Sequence, residues 1–267
     1  MEGIFNMITK KHRYGWLRDR PDQRDIPYMS IRFRSAIIEL PKSVDLRPYC
    51  PPVFDQGELG SCTANAIVAA YEIDRIKRNW NLDPLRQDSI ESLSRLFVYY
   101  NERLIEGTTQ SDAGAFIRDG IKTIARDGIC TESCWPYDIS KFTSRPDPEC
   151  YVEGLKRQAI QYAAVGADYH SVCTALSDGY PVVFGFSVYS NFETEEVART
   201  GIMPLPSDGA NVLGGHAVVA VGYDMDLHQL LVRNSWGSSW GIGGYFWMPF
   251  AALGTISSDF WVIRQVE

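Results

Sequence analysis

The sequence predicts an α+β protein in which a mainly helical first half packs against a mainly β second half, with a cleft between the two. Apolar residues recur at helical spacing between residues 62 and 126, and short β-rich runs separated by Gly, Pro, Asp and Ser follow after about Ala159. With 267 residues, 45% of them hydrophobic, the chain is long enough to bury two packed half-cores. We therefore expect an N-terminal extension at residues 1–40, a helical domain at 41–158 and a β domain at 159–267.

Three helices are predicted in the first half. The first spans Cys62 to Arg78, where alanines and isoleucines repeat at helical spacing and basic residues gather near the end, as the helix dipole favours. The second spans Ser92 to Leu104, and the third spans Ala113 to Arg126 before Gly128, a suitable helix stop. The first helix thus begins at or next to Cys62.

Five strands are predicted in the second half from runs of β-branched and aromatic residues. They are Pro181–Val188, His216–Tyr223, Leu230–Asn234, Tyr245–Met248 and Phe260–Arg264. Residues 1–40 are rich in Arg, Asp and Pro and show weak periodicity of either kind, so we interpret them as an irregular extension.

Charge and apolar runs exclude several classes of protein. The net charge of −7 would not attract phosphate backbones or anionic lipid, so we expect neither nucleic acid nor membrane as a partner. No run approaches the roughly 18 to 20 apolar residues that cross a bilayer. The N-terminus is apolar and then basic, the reverse of a signal peptide. We expect a soluble monomer whose location in the cell stays open.

The six cysteines are too sparse for a disulfide scaffold. Cys130 and Cys134 are spaced as Cys-x-x-x-Cys, but without a second ligand pair this spacing favours burial or one local bridge over a metal site. We therefore expect no metal and no organic cofactor. Apart from Cys62, the pairing of the cysteines stays open: Cys50, Cys130, Cys134, Cys150 and Cys173.

Cys62 is the candidate nucleophile. A thiol becomes nucleophilic near neutral pH when its thiolate is stabilised, as by a helix N-terminus and a nearby imidazolium. The preceding run, Gln56-Gly57-Glu58-Leu59-Gly60-Ser61, is a glycine-containing loop from which a Gln amide can donate toward an oxyanion. Taken alone, such a cysteine is more often a buried structural thiol.

His216 is the candidate base. Among the four histidines only this one lies in a Gly-Gly-His-Ala-Val-Val-Ala-Val-Gly-Tyr run, where two glycines leave space beside the ring. Asn234 opens the run Asn-Ser-Trp-Gly-Ser-Ser-Trp-Gly after another predicted strand, where its amide can hold one imidazole tautomer. The alternatives are a core histidine and a turn asparagine.

In this order, Gln-Gly-x-x-Gly-Ser-Cys, Gly-His-Ala-Val and Asn-Ser-Trp-Gly-x-x-Trp-Gly resemble the motifs of the papain and cathepsin family of cysteine peptidases. The resemblance extends from about Leu40 to near the C-terminus. It implies a papain-like two-domain fold, in which the helical domain packs against an antiparallel β-barrel-like domain with the active-site cleft between them. It also implies cleavage of a peptide or protein substrate through an acyl-enzyme. Endopeptidase action is the default expectation, because the sequence shows no insertion that would block one end of the cleft.

The same resemblance assigns roles to the matching residues. Cys62 attacks the peptide carbonyl, His216 shuttles the proton and Asn234 orients His216. Gln56 and the Cys62 backbone N–H form the oxyanion hole, and Trp236 shields the His and Asn pair from water. The remaining substrate-binding candidates border the cleft: Asp112, Ala113, Gly114, Val182, Gly214 and Gly215.

The chain departs from the family pattern beside the nucleophile. Leu59 stands in place of the usual cysteine three residues before it, and Thr63 stands in place of the Trp directly after it. The Gly-Cys-x-Gly-Gly segment that supplies the disulfide partner is also missing near Gln110–Gly114. Since both halves of that bridge are lost together, we expect a lineage that folds without it. How the wall behind the nucleophile is packed stays open.

Two further functions use the same residues. A catalytically silent homologue would bind peptides or a partner protein in the cleft, although a binding module has no need for an intact triad with its Gln. Acyl transfer to an amine instead of water is equally compatible with the sequence.

The extension is much shorter than the usual helical pro-region of the family. It carries apolar residues that need burial: Tyr14, Trp16, Ile26, Tyr28 and Phe33. A cleft that accepts an extended peptide is one place to bury them, and the back of the domains is the other. If the segment covers the cleft, the chain is autoinhibited in the manner of a zymogen.

Overall fold

Helices dominate the chain up to residue 158 and strands dominate the rest in the computed structural model, which describes residues 12–32, 39–82, 91–158 and 161–264. The helices are α1 (Tyr28–Ile31), α2 (Cys62–Leu82), α3 (Arg95–Glu106), α4 (Ile117–Asp127), α5 (Pro148–Gly154), α6 (Tyr169–Ser177) and α7 (Glu195–Thr200). The strands are β1 (Trp16–Leu17), β2 (Ser43–Asp45), β3 (Ala115–Phe116), β4 (Gln161–Val165), β5 (Val182–Tyr189), β6 (Val212–Asp224), β7 (Gln229–Arg233), β8 (Tyr245–Pro249) and β9 (Ser257–Arg264). Residues 159–160 lie outside the described residues, so the domain boundary at 158/159 stays a prediction.

The three predicted helices are present with shifted ends. α2 starts at Cys62, as predicted, and runs past the predicted end. α3 starts later than predicted because Ser94 caps it, accepting a hydrogen bond on Oγ from the backbone N–H of Phe97 at 3.1 Å. α4 also starts late, because the two residues before it pair as β3, and it ends where Gly128 adopts a φ of 69°. None of the described helices is long and apolar enough to cross a membrane.

A seven-stranded sheet forms the second half, in the order β4-β9-β5-β6-β7-β8, with β2 paired to the end of β6. Every pairing within it is antiparallel. The prediction of an α+β fold with an antiparallel second half is confirmed; the described strands form an open sheet, with β4 and β8 at its two ends, and not a closed barrel. The helices cover the sheet, so closure on itself is not needed to bury its apolar face.

Packing of α2 against β6 brings the candidate residues together. α2 is buried from Cys62 to Asp74, with small alanines that let the helix approach the sheet closely. His216 lies in β6 opposite Phe186 of β5. Asn234 directly follows β7, the other neighbour of β6. The helix N-terminus and two adjacent strands therefore converge on one point.

The described part of the extension packs on both halves, and it is less irregular than predicted. β1 pairs in parallel with β3 of the helical half, Trp16 opposite Ala115. Further on, Pro27 bridges to Ala164 of β4, and the chain then forms the short helix α1. Phe33, one of the apolar residues expected to need burial, lies outside the described residues.

Candidate active site

The Cys62 thiol lies at the first residue of α2 and is fully buried. Burial raises its pKa to about 12, and the backbone N–H groups of Ala217, Gly15 and Thr63 act in the opposite direction. Ala217 follows His216 in the chain, so the thiol lies beside the strand that carries the candidate base. In this buried environment the thiol is therefore held in its neutral form.

His216 is held by Asn234 in one tautomer. His216 Nε2 and Asn234 Oδ1 are 2.8 Å apart. The backbone N–H of Ser235 also donates to Asn234 Oδ1 at 2.8 Å, which identifies this atom as the amide oxygen. Nε2 must then carry the proton, which leaves Nδ1 as the basic nitrogen. Nδ1 is buried and has no hydrogen-bond partner among the described residues.

Aromatic rings enclose the imidazole. Trp236 stacks on His216 with ring centroids 4.7 Å apart, and Phe186 meets its edge at 5.9 Å. His12 of the extension stacks on Trp236 at 3.9 Å. Burial lowers the pKa of His216 to about 4; the hydrogen bond to Asn234 opposes this shift, and His12 adds to it. Both members of the Cys62 and His216 pair are thus uncharged while the site is covered.

Gln56 points its amide at a peptide carbonyl. Its Nε2 donates to the carbonyl oxygen of Arg13 at 3.1 Å and to that of Leu59 at 2.9 Å. Ser235 Oγ donates to Gln56 Oε1 at 2.7 Å, which fixes the orientation of the amide. The Arg13 carbonyl therefore lies at the donor that the sequence assigned to the oxyanion.

Gly114 lies against the backbone of the extension. The Ala115 N–H donates to the Gly15 carbonyl at 2.7 Å, and a Cβ on Gly114, whose φ is 74°, would lie 2.1 Å from that oxygen. Ala113 borders the same groove.

Asp112 acts on the loop before the nucleophile. It accepts hydrogen bonds from the Gly60 N–H at 3.0 Å and from the Tyr99 hydroxyl at 2.5 Å, and it forms an ion pair with Arg13 at 3.3 Å. These contacts within the protein indicate that Asp112 holds the loop of Gly60 in place.

Three glycines border a pocket that the extension fills. A Cβ on Gly185 would lie 1.9 Å from the indole of Trp16, and one on Gly215 would lie 2.4 Å from the Trp16 carbonyl oxygen. A Cβ on Gly214 would lie 2.7 Å from Tyr14. Gly214 and Gly215 were among the sequence candidates, whereas Gly185 lies in a strand expected to border the pocket, residues 181–186, of which only Val182 was singled out. A glycine inside a strand of large apolar residues is the signal that marks such a close approach.

Val182 is not part of this pocket. It is fully buried and pairs with Ala220, four positions along the strand from the Phe186 and His216 pair. Among the sequence candidates it is the one that the structure places away from the cleft.

The wall behind the nucleophile is built from a buried hydrogen bond. Thr63 Oγ1 donates to Glu102 Oε1 of α3 at 2.6 Å, and both side chains are fully buried. Burial, above all, holds the pKa of Glu102 well above its usual range. Leu59, at the position of the usual cysteine, is 2% exposed and belongs to the core. Apolar packing thus stands where the family has a disulfide.

Comparisons with known proteins agree with this arrangement. The profile described as papain family cysteine protease matches residues 40–253. An uncharacterised peptidase C1-like protein of Acanthamoeba polyphaga mimivirus is 38% identical, over 97% of this chain and 88% of that protein.

Solved structures show the same relationship. Xylellain, a cysteine protease from Xylella fastidiosa, has a TM-score of 0.86 and 39% identity, covering 97% of this chain and 98% of that one. A procathepsin B of Trypanosoma congolense, at 17% identity, shares the fold with a TM-score of 0.73, covering 97% of this chain and 88% of that one. The profile match and the two relatives above 30% identity decide the family. This chain belongs to the papain family of cysteine proteases and is a cysteine peptidase.

Proposed function

We propose that this chain is an endopeptidase that cleaves peptide bonds through an acyl-enzyme on Cys62. The observation that carries the proposal is the fixed tautomer of His216, whose basic Nδ1 is left without a partner among the described residues while Asn234 holds Nε2–H. Only an imidazole with a free basic nitrogen can take the proton of a thiol. We keep endopeptidase action as the default expected from the sequence.

The reaction would proceed in two halves. Cys62 Sγ attacks the carbonyl carbon as its proton passes to His216 Nδ1, and the Gln56 amide and the Cys62 backbone N–H stabilise the resulting oxyanion. The C–N bond breaks, and His216 returns the proton to the leaving amine. Water then gives a proton to His216 and attacks the thioester carbonyl carbon. The C–S bond breaks to release the acid, and His216 returns its proton to Cys62 Sγ, which restores the thiol.

The extension would act as an autoinhibitor in this proposal. The Arg13 carbonyl accepts from Gln56, the Gly15 carbonyl accepts from Ala115, and Trp16 lies in the pocket beside Gly185. These contacts place a backbone where an extended substrate would need to bind. They also surround Cys62 and His216 with protein, and this burial is the main cause of their neutral state.

The filled pocket suggests what substrate it accepts. Trp16 is 8% exposed, and its indole reaches to within 1.9 Å of where a Cβ on Gly185 would lie. Because glycines form two sides of this pocket, it holds a large flat side chain. We expect substrates with an aromatic residue at this subsite to be cleaved best.

Cleavage of a diverse peptide library, mapped by mass spectrometry, tests the proposal. We expect cleavage sites with aromatic residues at one fixed position, no cleavage by Cys62→Ala, and an unchanged fold in that variant. A chain that binds library peptides but cleaves none, even with the extension displaced, would be the silent homologue. Products joined to an added amine in place of free acids would identify acyl transfer.

A further inference from the structure

Three cysteines converge in the helical half, away from the cleft. The Sγ atoms of Cys130, Cys134 and Cys150 lie within 4.8 Å of one another. All three are free thiols. Cys130 and Cys150 are buried, whereas Cys134 is half-buried and gives the cluster a path to solvent. The sequence offered only the first two as a weak pair, and the fold brings the third from the first turn of α5.

The spacing of the sulfurs fits a tris-thiolate metal site. An equilateral triangle of 4.8 Å, the largest that the cluster allows, would hold a central ion about 2.8 Å from each sulfur. Zn–S bonds are about 2.3 Å long, so each sulfur would move by roughly 0.5 Å or less. Rotation about the Cα–Cβ bond of an unbridged cysteine covers that distance without moving the backbone.

The number of sulfurs favours a metal over a disulfide. A disulfide joins two sulfurs and leaves the third thiol without a role, whereas thiolate sites for soft divalent ions use three or four. The segments that the cluster would join are also linked by the cap of α3. Ser94 N–H donates to the Cys130 carbonyl at 2.9 Å, and Ser94 Oγ donates to the carbonyl of Trp135. An ion here would tie these segments together.

We propose that Cys130, Cys134 and Cys150 form a binding site for one thiophilic divalent cation of the Zn²⁺ class. Binding releases three protons, one from each thiol, and forms a tris-thiolate complex with a net charge of −1. The fourth coordination position lies on the half-buried side of Cys134, where water completes a tetrahedron. The site is structural, since it is separate from the residues of the proposed reaction.

Titration with Cd²⁺ tests this site in the full chain. The Cys62→Ala variant is used throughout, because the candidate nucleophile is itself a thiol. The reduced protein, kept free of oxygen, should bind one Cd²⁺ per chain with the ultraviolet absorption of thiolate-to-cadmium charge transfer, and Zn²⁺ should compete. Cys130→Ser and Cys150→Ser, added to that variant, should each lower the affinity at least tenfold. Cys173→Ser, which changes a buried cysteine elsewhere, should not.

A second measurement leaves the three cysteines intact, so it does not depend on whether the cluster variants fold. Cd²⁺ should raise the Tm of the Cys62→Ala chain by several degrees, whereas Mg²⁺, which prefers oxygen ligands, should leave it unchanged. Absence of stoichiometric Cd²⁺ binding by the reduced protein would overturn the proposal. So would affinity that is unchanged in Cys130→Ser. A stable disulfide between two of these cysteines, with no Cd²⁺ uptake after its reduction, would replace the metal site with a bridge.

Discussion

Substituting Gly15 by alanine should release the extension from the cleft. A Cβ on Gly15 would lie 1.7 Å from the Gly60 carbonyl oxygen and 2.5 Å from its carbonyl carbon. Both atoms belong to the backbone, so no side chain can rotate away. Asp112 also holds the Gly60 N–H, so the loop has little freedom to yield. The extension itself must therefore move out by about 1.7 Å to restore ordinary contact at roughly 3.4 Å.

The size of the effect follows from the contacts that this shift breaks. The hydrogen bond from the Ala115 N–H to the Gly15 carbonyl, 2.7 Å long, cannot survive it, and the one from Gln56 to Arg13 weakens. Each is worth about 1 kcal/mol. Partial exposure of Trp16 adds ~1–2 kcal/mol. A total near 3 kcal/mol increases the open fraction about a hundredfold, since ~1.4 kcal/mol corresponds to a factor of ten.

The assay is the rate at which a peptidyl epoxide labels Cys62, read by mass spectrometry on chains whose extension is still attached. Gly15→Ala should label about a hundredfold faster than the natural chain. Leu17→Ala is the matched control, because Leu17 lies in the same strand but is 37% exposed, and it should label at the natural rate. A synthetic peptide of residues 12–20 should slow the labelling of Gly15→Ala. Equal rates for Gly15→Ala and the natural chain would refute the proposed occlusion.

Three further predictions concern the proposed reaction, the pocket and pH. Asn234→Ala should lower kcat tenfold or more in the opened chain, with little change in KM, because His216 loses its fixed tautomer. A tenfold rise in KM with an unchanged kcat would contradict this role. Gly185→Val should speed the labelling of Cys62 in the chain with its extension attached, because the valine side chain expels Trp16. It should also lower kcat/KM selectively for substrates with an aromatic residue at this subsite. Burial, with the adjacent carboxylate of Asp259, raises the pKa of Asp19 to about 6, above the ~3.9 of an exposed Asp. Docking of the extension should therefore be strongest below about pH 4 and weaken as pH rises through 6. The loss in docking free energy is ~3 kcal/mol at most. Tm measured against pH in a Cys62→Ala background should show this loss, and Asp19→Asn should remove it.

The sequence predicts the long elements of this fold and the central residues of the site. α2 and the strands around His216 are long enough for their apolar periodicity to identify them. The motifs identify Cys62, His216, Asn234 and Gln56, which lie together in the structure. The short elements escape such reasoning. A strand of two residues such as β1 has no periodicity, and its pairing with β3 depends on contacts across a hundred residues of chain.

Tertiary contacts also decide the details that sequence reasoning missed. Val182 and Gly185 lie in one strand, and only the register opposite His216 shows that Gly185, and not Val182, faces the pocket. Sheet closure likewise depends on how the end strands meet, which local propensity does not encode. Cys150 joins Cys130 and Cys134 through the fold of the helical half, since no spacing rule links them.

The proposed roles of Cys62 and His216 are tested most directly by the pH dependence of Cys62 alkylation in the opened Gly15→Ala chain. Displacement of the covering segment ends the burial that keeps the pair neutral, so the thiolate should form beside a protonated His216. We predict an apparent thiol pKa well below the ~8.5 of a free cysteine, and a return toward that value in the Gly15→Ala, His216→Ala double variant. An apparent pKa that is the same with and without His216 would contradict the proposed nucleophile and base.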